Sequence, residues 1–305
     1  MSWGRWWFAL QAVAGAAWWV LVPTVPFVRT ATLGSLDPVL VAALDVPLFV
    51  LASAAAAAGI RWAAVVATAW TVLVLLGTVV WATVTREAGW GVVAMTAAAV
   101  GSVPALSHVL LGRVRTELVT SGPLRFRTAD PDAGPVRHVL GTAVQIVVFW
   151  GLFLGVFPLL VAAAETRWRL RPTLPDAVVH DVAVVGVVVF VLASLLGLAS
   201  ALSMSTRGAG TPLPSAMPNR LVVAGPYRVV RNPMALAGLT QGAAVGLVTA
   251  SWTVLVYAVA GSVVWNCVVR PLEESDLEQR FGDEFRRYAA AVRCWVPRLR
   301  PVPRT

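Results

Sequence analysis

Two polar stretches near the C-terminal end carry residue types that can do chemistry, and a hydrophobic hairpin lies between them. The first runs Arg207-Gly208-Ala209-Gly210-Thr211-Pro212-Leu213-Pro214. It continues as Leu221 to Met234, with Gly225-Pro226-Tyr227-Arg228 and then Arg231-Asn232-Pro233. Gly208 and Gly210 lack a Cβ and permit close approach of a ligand to the backbone, and Gly225-Pro226 turns the chain. Asn232-Pro233 has the form of an N-cap followed by Pro at the first helical position. The N–H groups and partial positive charge of a helix start would receive a carboxylate there. A capped helix after a Gly/Pro loop, with no ligand, explains the same residues equally well.

The second stretch runs from Arg270 to Tyr288 and closes with Trp295-Val296-Pro297. Six of the chain's 15 acids fall between Glu273 and Glu284. A solvated helix face accounts for most of them. The adjacent pair Glu273-Glu274 stands where the last apolar run leaves the membrane, on the same side as the glycine loop. Two acids in that position can accept hydrogen bonds from hydroxyl or amine groups and offset a cation. Leu277, Phe281, Phe285, Tyr288 and Val292 recur at helical spacing, which predicts an amphipathic helix along the bilayer interface.

The elements that must position these residues are membrane spans. Of the 305 residues, 58% are hydrophobic and 13% charged, with a mean hydropathy of +0.76. About a quarter charged is usual for a soluble domain. The expected fold is all-α, a polytopic transmembrane helical bundle of about eight spans with the amphipathic helix at its C-terminal end. The spans are placed at about 6–28, 38–60, 62–85, 90–112, 138–164, 178–203, 233–249 and 252–269. As one helix, residues 233–269 would be about 55 Å long, nearly twice the hydrocarbon core, so a tight hairpin is expected at Thr249 to Trp252. The first run follows Arg5 without a small-residue cleavage site and reads as an uncleaved span.

All basic residues are Arg. With the N-terminus inside, 19 fall on the cytoplasmic side and five (Arg29, Arg86, Arg167, Arg169, Arg171) outside, the bias expected for eight spans with both termini cytoplasmic. Arg125 is one of those placed inside. The expected location is the bacterial plasma membrane, with membrane lipid as the surrounding partner. The net charge of +9 resides in loops between apolar runs rather than on one soluble face, which argues against nucleic acid.

A polar loop at 113–137, containing Pro131-Asp132-Ala133-Gly134-Pro135, divides the chain. Residues 1–130 form a four-span region with no assigned role, and 131–305 form the core that holds the polar stretches, chiefly within 204–301. Asp45 is an acid inside a span and therefore a functional candidate, although it lies near enough to the interface for a plainer role. Trp3, Trp6, Trp7, Trp18, Trp19, Trp62 and Trp90 lie at span ends and read as an interfacial belt. His108, His138 and His180 read as isolated polar residues. Cys267 and Cys294 show no metal or disulfide spacing, so no metal is expected.

The order GxG-T-P, then G-P-Y-R-x-x-R-[HN]-P, then a hydrophobic hairpin, then E-E-x-x-L-x-x-x-F-G-x-x-[FY]-x-x-Y and W-V-P resembles the isoprenylcysteine carboxyl methyltransferase and phospholipid methyltransferase families over roughly residues 185–301. The resemblance implies an S-adenosylmethionine site at the cytoplasmic interface, served by Gly208, Gly210, Tyr227, Arg231, Asn232, Pro233, Gly238, Glu273 and Glu274. Many members have His where this chain has Asn232 and Tyr where it has Ala235. Asn still caps a helix, but an imidazole proton acceptor at 232 is absent.

Methyl transfer from a sulfonium needs in-line approach, so positioning and electrostatics carry the rate. With a carboxylate as nucleophile the opposite charges disappear as the bond forms, and no general base is required. An alcohol would need one, and Glu273, Glu274 and Tyr288 are the groups on offer. The expected activity is O-methylation of a carboxylate on a lipophilic or lipidated acceptor. Arg231, Glu274 and Arg287 are the expected catalytic residues, with Arg231 or Arg287 on an anionic substrate group. The alternatives are N-methylation of a lipid amine, S-methylation of a small thiol, a membrane scaffold or transporter, and a nicotinamide-dependent membrane reductase.

Overall fold

The computed structural model describes residues 2–116, 127–130, 134–211 and 216–301. Arg125, most of the Pro131–Pro135 run, and Pro212 to Pro214 of the glycine loop lie outside the described residues. The fold is all-α, and among the described residues seven helices are long and apolar enough to cross a membrane. The helices are α1 (Trp3–Thr24), α2 (Pro26–Thr32), α3 (Pro38–Ala58), α4 (Arg61–Thr85), α5 (Gly89–Leu111), α6 (Val136–Arg167), α7 (Asp176–Arg207), α8 (Pro233–Val248) and α9 (Trp252–Ala291). All but α2 and α8 are of spanning length. The protein is a multi-pass membrane protein. The expected seventh span is α8, whose 16 residues reach about 24 Å.

The chain forms two compact units, one of Met1–Arg115 with Ala163–Pro172 and one of Thr116–Ala162 with Thr173–Thr305. In the first, Ala52, Ala56, Ala63, Ala64, Ala67 and Ala105 pack around Phe8, small side chains that let helices approach closely in lipid. Gln11 is buried among Ser53, Thr71 and Ser102 and hydrogen-bonds to all three. Pro47 cannot donate to the helical ladder, and a π-turn spans Val46–Leu51 around it. Just before that turn Asp45 is buried, accepting hydrogen bonds from Trp19 (2.8 Å) and Trp70 (2.9 Å). Trp3, Trp6, Trp62 and Trp90 are exposed, as a belt requires. Trp7, Trp18 and Trp19 instead direct their indole N–H groups at Gln11, Thr32 and Asp45.

The second unit contains both polar stretches. Helices α7 and α8 pack closely because Gly186 faces the Ala244 carbonyl and Val248. The hairpin occurs where the spacing places it: α8 ends at Val248, α9 begins at Trp252, and Ser251 Oγ accepts the Val254 N–H at 3.2 Å as an N-cap. A difference follows at the C-terminal end, where α9 runs on without a break from the span through a π-turn at Trp265–Val269. It kinks only at Gly282, whose φ of 50° and ψ of −123° interrupt the helix. Beyond Arg270 its apolar face is covered by protein. Phe285, Tyr288 and Val292 are buried against Val223, with Leu221, Leu277 and Phe281 packed around them. The loop after the glycine stretch therefore occupies the surface that periodicity alone offered to lipid.

One short strap completes the scaffold. Thr128 and Met217 form an isolated bridge, with Ala129 N donating to Met217 O at 2.9 Å and Met217 N to Arg127 O at 2.7 Å. The lead-in to α6 is thus tied to the return of the glycine loop.

Candidate functional site

Helix α7 ends at Arg207 and the glycine loop begins. A Cβ on Gly208 would stand 2.7 Å from both Met204 O and Pro218 Cβ, and one on Gly210 would overlap the Met217-Pro218 backbone. The close approach expected of these glycines is made by the chain's own 217–222 segment rather than by a ligand. Asn219 fastens it: its N–H donates to Gly208 O at 2.8 Å, and its side-chain amide reaches Ala209 O (2.9 Å) and Ala129 O (3.1 Å). Ala209 has a positive φ of 50°, so the loop is strained into place between its glycines.

The next turn, Gly225–Arg228, is a 3-10 turn that buries Tyr227. Gly225 has φ 55°, and a Cβ there would run into Ser203 of α7. Tyr288 donates its hydroxyl to Tyr227 O at 2.7 Å, which locks α9 to the turn. Burial pushes the phenols of both tyrosines far above their ordinary range. Tyr288, one of the groups available as a base, is spent as a donor inside the fold.

Arg231 departs from its expected role on a substrate anion. Its guanidinium donates to Glu274 Oε1 at 2.8 Å and to Ala289 O at 2.9 Å, with Val292 O at 3.4 Å. It holds an acid with one edge and the carbonyl end of α9 with another, as cations at helix C-termini do. Its backbone N–H donates to Arg293 O, and Arg298 N donates to Val229 O, so the tail after α9 runs beside residues 229–231. Trp295, of the W-V-P run, donates to Asn266 Oδ1 at 2.9 Å and packs edge-on against Trp265.

Asn232 caps α8 as its sequence predicts, Oδ1 accepting the Ala235 N–H at 3.0 Å. Pro233 follows, fully buried. Pro233 has no N–H and Ala235 donates to the cap, which leaves the Met234 N–H as the first-turn donor for a ligand. The other face of the Asn232 amide approaches Glu273 Oε2 at 3.5 Å. Gly238, one further turn along α8, has open space where a Cβ would be.

The two glutamates are unlike. Glu274 accepts from Arg231 and from Arg270 Nε (3.0 Å), on a single oxygen. Among the described residues Glu273 has only the long contact to Asn232, and dense surroundings with the charge of Glu274 beside it push its carboxyl up to about 7. It lies past Val269, outside the apolar part of α9. The structure brings Tyr227, Arg231, Asn232, Pro233, Glu273 and Glu274 together. It does not bring Arg287, which is exposed and makes no hydrogen bond or ion pair among the described residues.

Arg270 and Arg280 were missed by the sequence reading. Arg270 pairs with Glu274 and Arg280 with Asp276 (3.0 Å), and both are i,i+4 pairs open to inspection in the sequence. The contact of Arg280 with Pro218 O, which joins α9 to the glycine loop, had no sequence signal. Among the described residues no cluster of three or more His, Cys, Asp or Glu is arranged to hold a metal.

Comparison with curated proteins gives no match, and neither does comparison with solved structures. A family model does match, over the part of the chain that runs from early α7 through the glutamate pair to Glu284. Residues 182–284 fit the phospholipid methyltransferase model, which is part of the isoprenylcysteine carboxyl methyltransferase-like family.

Proposed function

We propose that the protein transfers a methyl group from S-adenosylmethionine to a lipophilic acceptor at the cytoplasmic face of the membrane. The membrane methyltransferase class follows from the family match. The cofactor assignment rests on one juxtaposition: the capped start of α8 and the poorly solvated Glu273 carboxyl meet at Asn232. A helix start with an available N–H suits a carboxylate, and a half-buried acid without a strong partner suits an ammonium. An amino acid moiety carries both groups, so these residues fit the cofactor.

When bound, S-adenosylmethionine supplies a methyl group on a sulfonium. Met234 N–H and the dipole of α8 would take its carboxylate, and Glu273 its ammonium. Asn232 keeps the two subsites in register, because one side chain caps the helix and touches the acid. Glu274 and Arg231 are positioning residues, since their mutual ion pair and the hold of Arg231 on the end of α9 fix the helix that carries Glu273. The glycine loop acts through packing on 217–222.

With a carboxylate acceptor the reaction removes two opposite charges and needs no base, which a poorly solvated site favours. Glu273 near neutrality supports a second reading, methylation of an amine or thiol, because such a group accepts a proton at pH 7. The two are separable, since a Glu273 engaged by the cofactor ammonium is not available to an acceptor.

The test is calorimetric titration of the detergent-purified full-length protein with S-adenosylhomocysteine, with a reduced nicotinamide cofactor as control. Saturable binding of the first alone supports methyl transfer. Binding of the control alone supports a reductase, and binding of neither by folded protein supports a scaffold or transporter.

A further inference from the structure

Helix α6 is apolar and exposed around most of its circumference, with Val136, Val139, Leu140, Val144, Val147 and Val148 facing outward. One face differs. His138, Thr142 and Gln145 recur at i, i+4 and i+7, a spacing that aligns them on one side of a helix over about 10 Å. This side meets the end of α7 and the glycine loop. Thr142 and Ser205 hydroxyls are 3.0 Å apart, and Gln145 Nε2 donates to Thr211 Oγ1 at 3.0 Å. His138, Thr142, Ser205 and Thr211 are all buried.

The hydrogen bonds do not close. Among the described residues His138 Nε2 and Gln145 Oε1 are buried with no hydrogen-bond partner. The amide orientation of Gln145 is fixed by its neighbour: Thr211 donates its own proton to Ala216 O at 3.2 Å, so it must accept from Nε2, and Oε1 is left as an acceptor without a donor. A polar seam that served only to join α6 to α7 would satisfy both atoms, as Thr142 and Ser205 do. Further along the same face Phe149 stacks on Phe153, with ring centroids 5.7 Å apart. The face therefore passes from polar to aromatic, the order an amphiphile presents from head group to tail.

We propose that the His138–Gln145 face of α6, closed by Ser205 and Thr211, binds the head group of the lipophilic acceptor through a hydrogen-bond donor, an O–H or N–H, that the head group carries. Gln145 Oε1 accepts that donor and His138 Nε2 supplies the second contact. Thr211 connects this subsite to the glycine loop, and both belong to the compact unit that carries Asn232 and Glu273. The assignment rests on the methyltransferase reading for the identity of the ligand as an acceptor, and on the unpartnered atoms for its chemistry.

The experiment uses the full-length protein in detergent micelles and two neutral probes of matched size, 1-dodecanol and dodecyl methyl ether, at equal micellar mole fraction. Saturable thermal stabilisation should favour the alcohol by about tenfold in apparent affinity, because only the alcohol supplies a donor. Gln145→Leu and Gln145→Met, which remove the acceptor oxygen, should each remove most of that preference. A dodecanol carrying a photoreactive diazirine next to its hydroxyl should label the peptide containing His138 and Gln145 in unsubstituted protein, a readout that does not depend on either variant folding. Equal affinity for alcohol and ether, a preference that survives in folded variants, or labelling confined to other segments overturns the proposal. S-adenosylhomocysteine titration of the same samples separates the two readings. Lost cofactor binding sinks the methyltransferase assignment, whereas retained binding with no alcohol preference sinks this subsite alone.

Discussion

Glu273→Gln tests the division of labour between the paired acids, because it removes a charge without changing shape. The carboxyl stands at about 7 in the folded protein against an ordinary 4.5, so at pH 6 about a tenth of it is ionised and at pH 8 about nine-tenths. If the ionised form receives the cofactor ammonium, affinity for S-adenosylhomocysteine should rise about tenfold between pH 6 and pH 8. The Gln variant should bind weakly and without that slope. Stability moves the opposite way. Between 4.5 and 7 the folded state holds more protons than the unfolded state, so stability falls as pH rises through this window. The difference of about 2.5 units corresponds to about 3 kcal/mol, an upper bound that partial exposure lowers toward 1–2 kcal/mol. Thermal unfolding in detergent should therefore show Glu273→Gln more stable than the unsubstituted protein at pH 8 and nearly equal to it at pH 5. Isothermal titration at the two pH values supplies the affinities. A flat affinity profile with intact stability linkage would show that Glu273 titrates as described but does not touch the cofactor. A flat profile in both would refute the account of the acid itself.

Three further outcomes follow from the packing. Arg231→Met leaves Glu274 with Arg270 alone and uncaps the carbonyl end of α9. It should lower stability by about 2–3 kcal/mol and weaken S-adenosylhomocysteine binding, whereas Arg287→Met should do neither, as paired melting curves and titrations will show. Gly210→Ala sets a methyl group against the Met217-Pro218 backbone, so it should reduce the yield of folded protein in a fluorescence-detected sizing assay, while Gly238→Ala, facing open space, should leave yield unchanged. Asp45→Leu orphans the indoles of Trp19 and Trp70 and should cost about 2–4 kcal/mol in thermal unfolding; Asp45→Asn, which keeps one acceptor oxygen, should cost less.

Much of the architecture is local and was legible as such. Span positions follow from the length of apolar runs. The α8 start follows from Asn232-Pro233, and the hairpin from the fact that 233–269 is too long for one crossing. The family resemblance rests on the spacing of short motifs and agrees with the match over 182–284. What sequence could not show depends on which distant segment arrives at a given face. Arg270 singles out Glu274 within the sequence at i,i+4 spacing, but its second partner, Arg231, lies 43 residues away and is visible only in the fold. The apolar stripe from Leu277 to Val292 reads as lipid-facing until Leu221 and Val223 are seen to cover it. His138 reads as an isolated histidine because Ser205 and Thr211, which bond its helix neighbours Thr142 and Gln145, belong to another helix and loop. Gly208 and Gly210 announce a close approach, but the sequence does not name the approaching atoms.

The π-turn at Trp265–Val269 bears on how the site can vary. Asn232 and Glu273 sit on the two arms of one hairpin, each a fixed number of residues from the turn at Thr249 to Ser251. Removing one residue from a regular helical stretch of either arm would rotate everything beyond it by about 100° and shift it by about 1.5 Å, enough to part the amide from the acid. A π-turn is the one place where a helix holds a surplus residue without losing the phase of its two flanks. Deleting a residue between Trp265 and Val269 should relax that segment to an ordinary helix and leave Glu273 opposite Asn232, while the same deletion near Ala258 or Ala244 should not. The arms of the hairpin are thus free to drift in composition but not in count, and this short segment is where a change of one in their count can be absorbed.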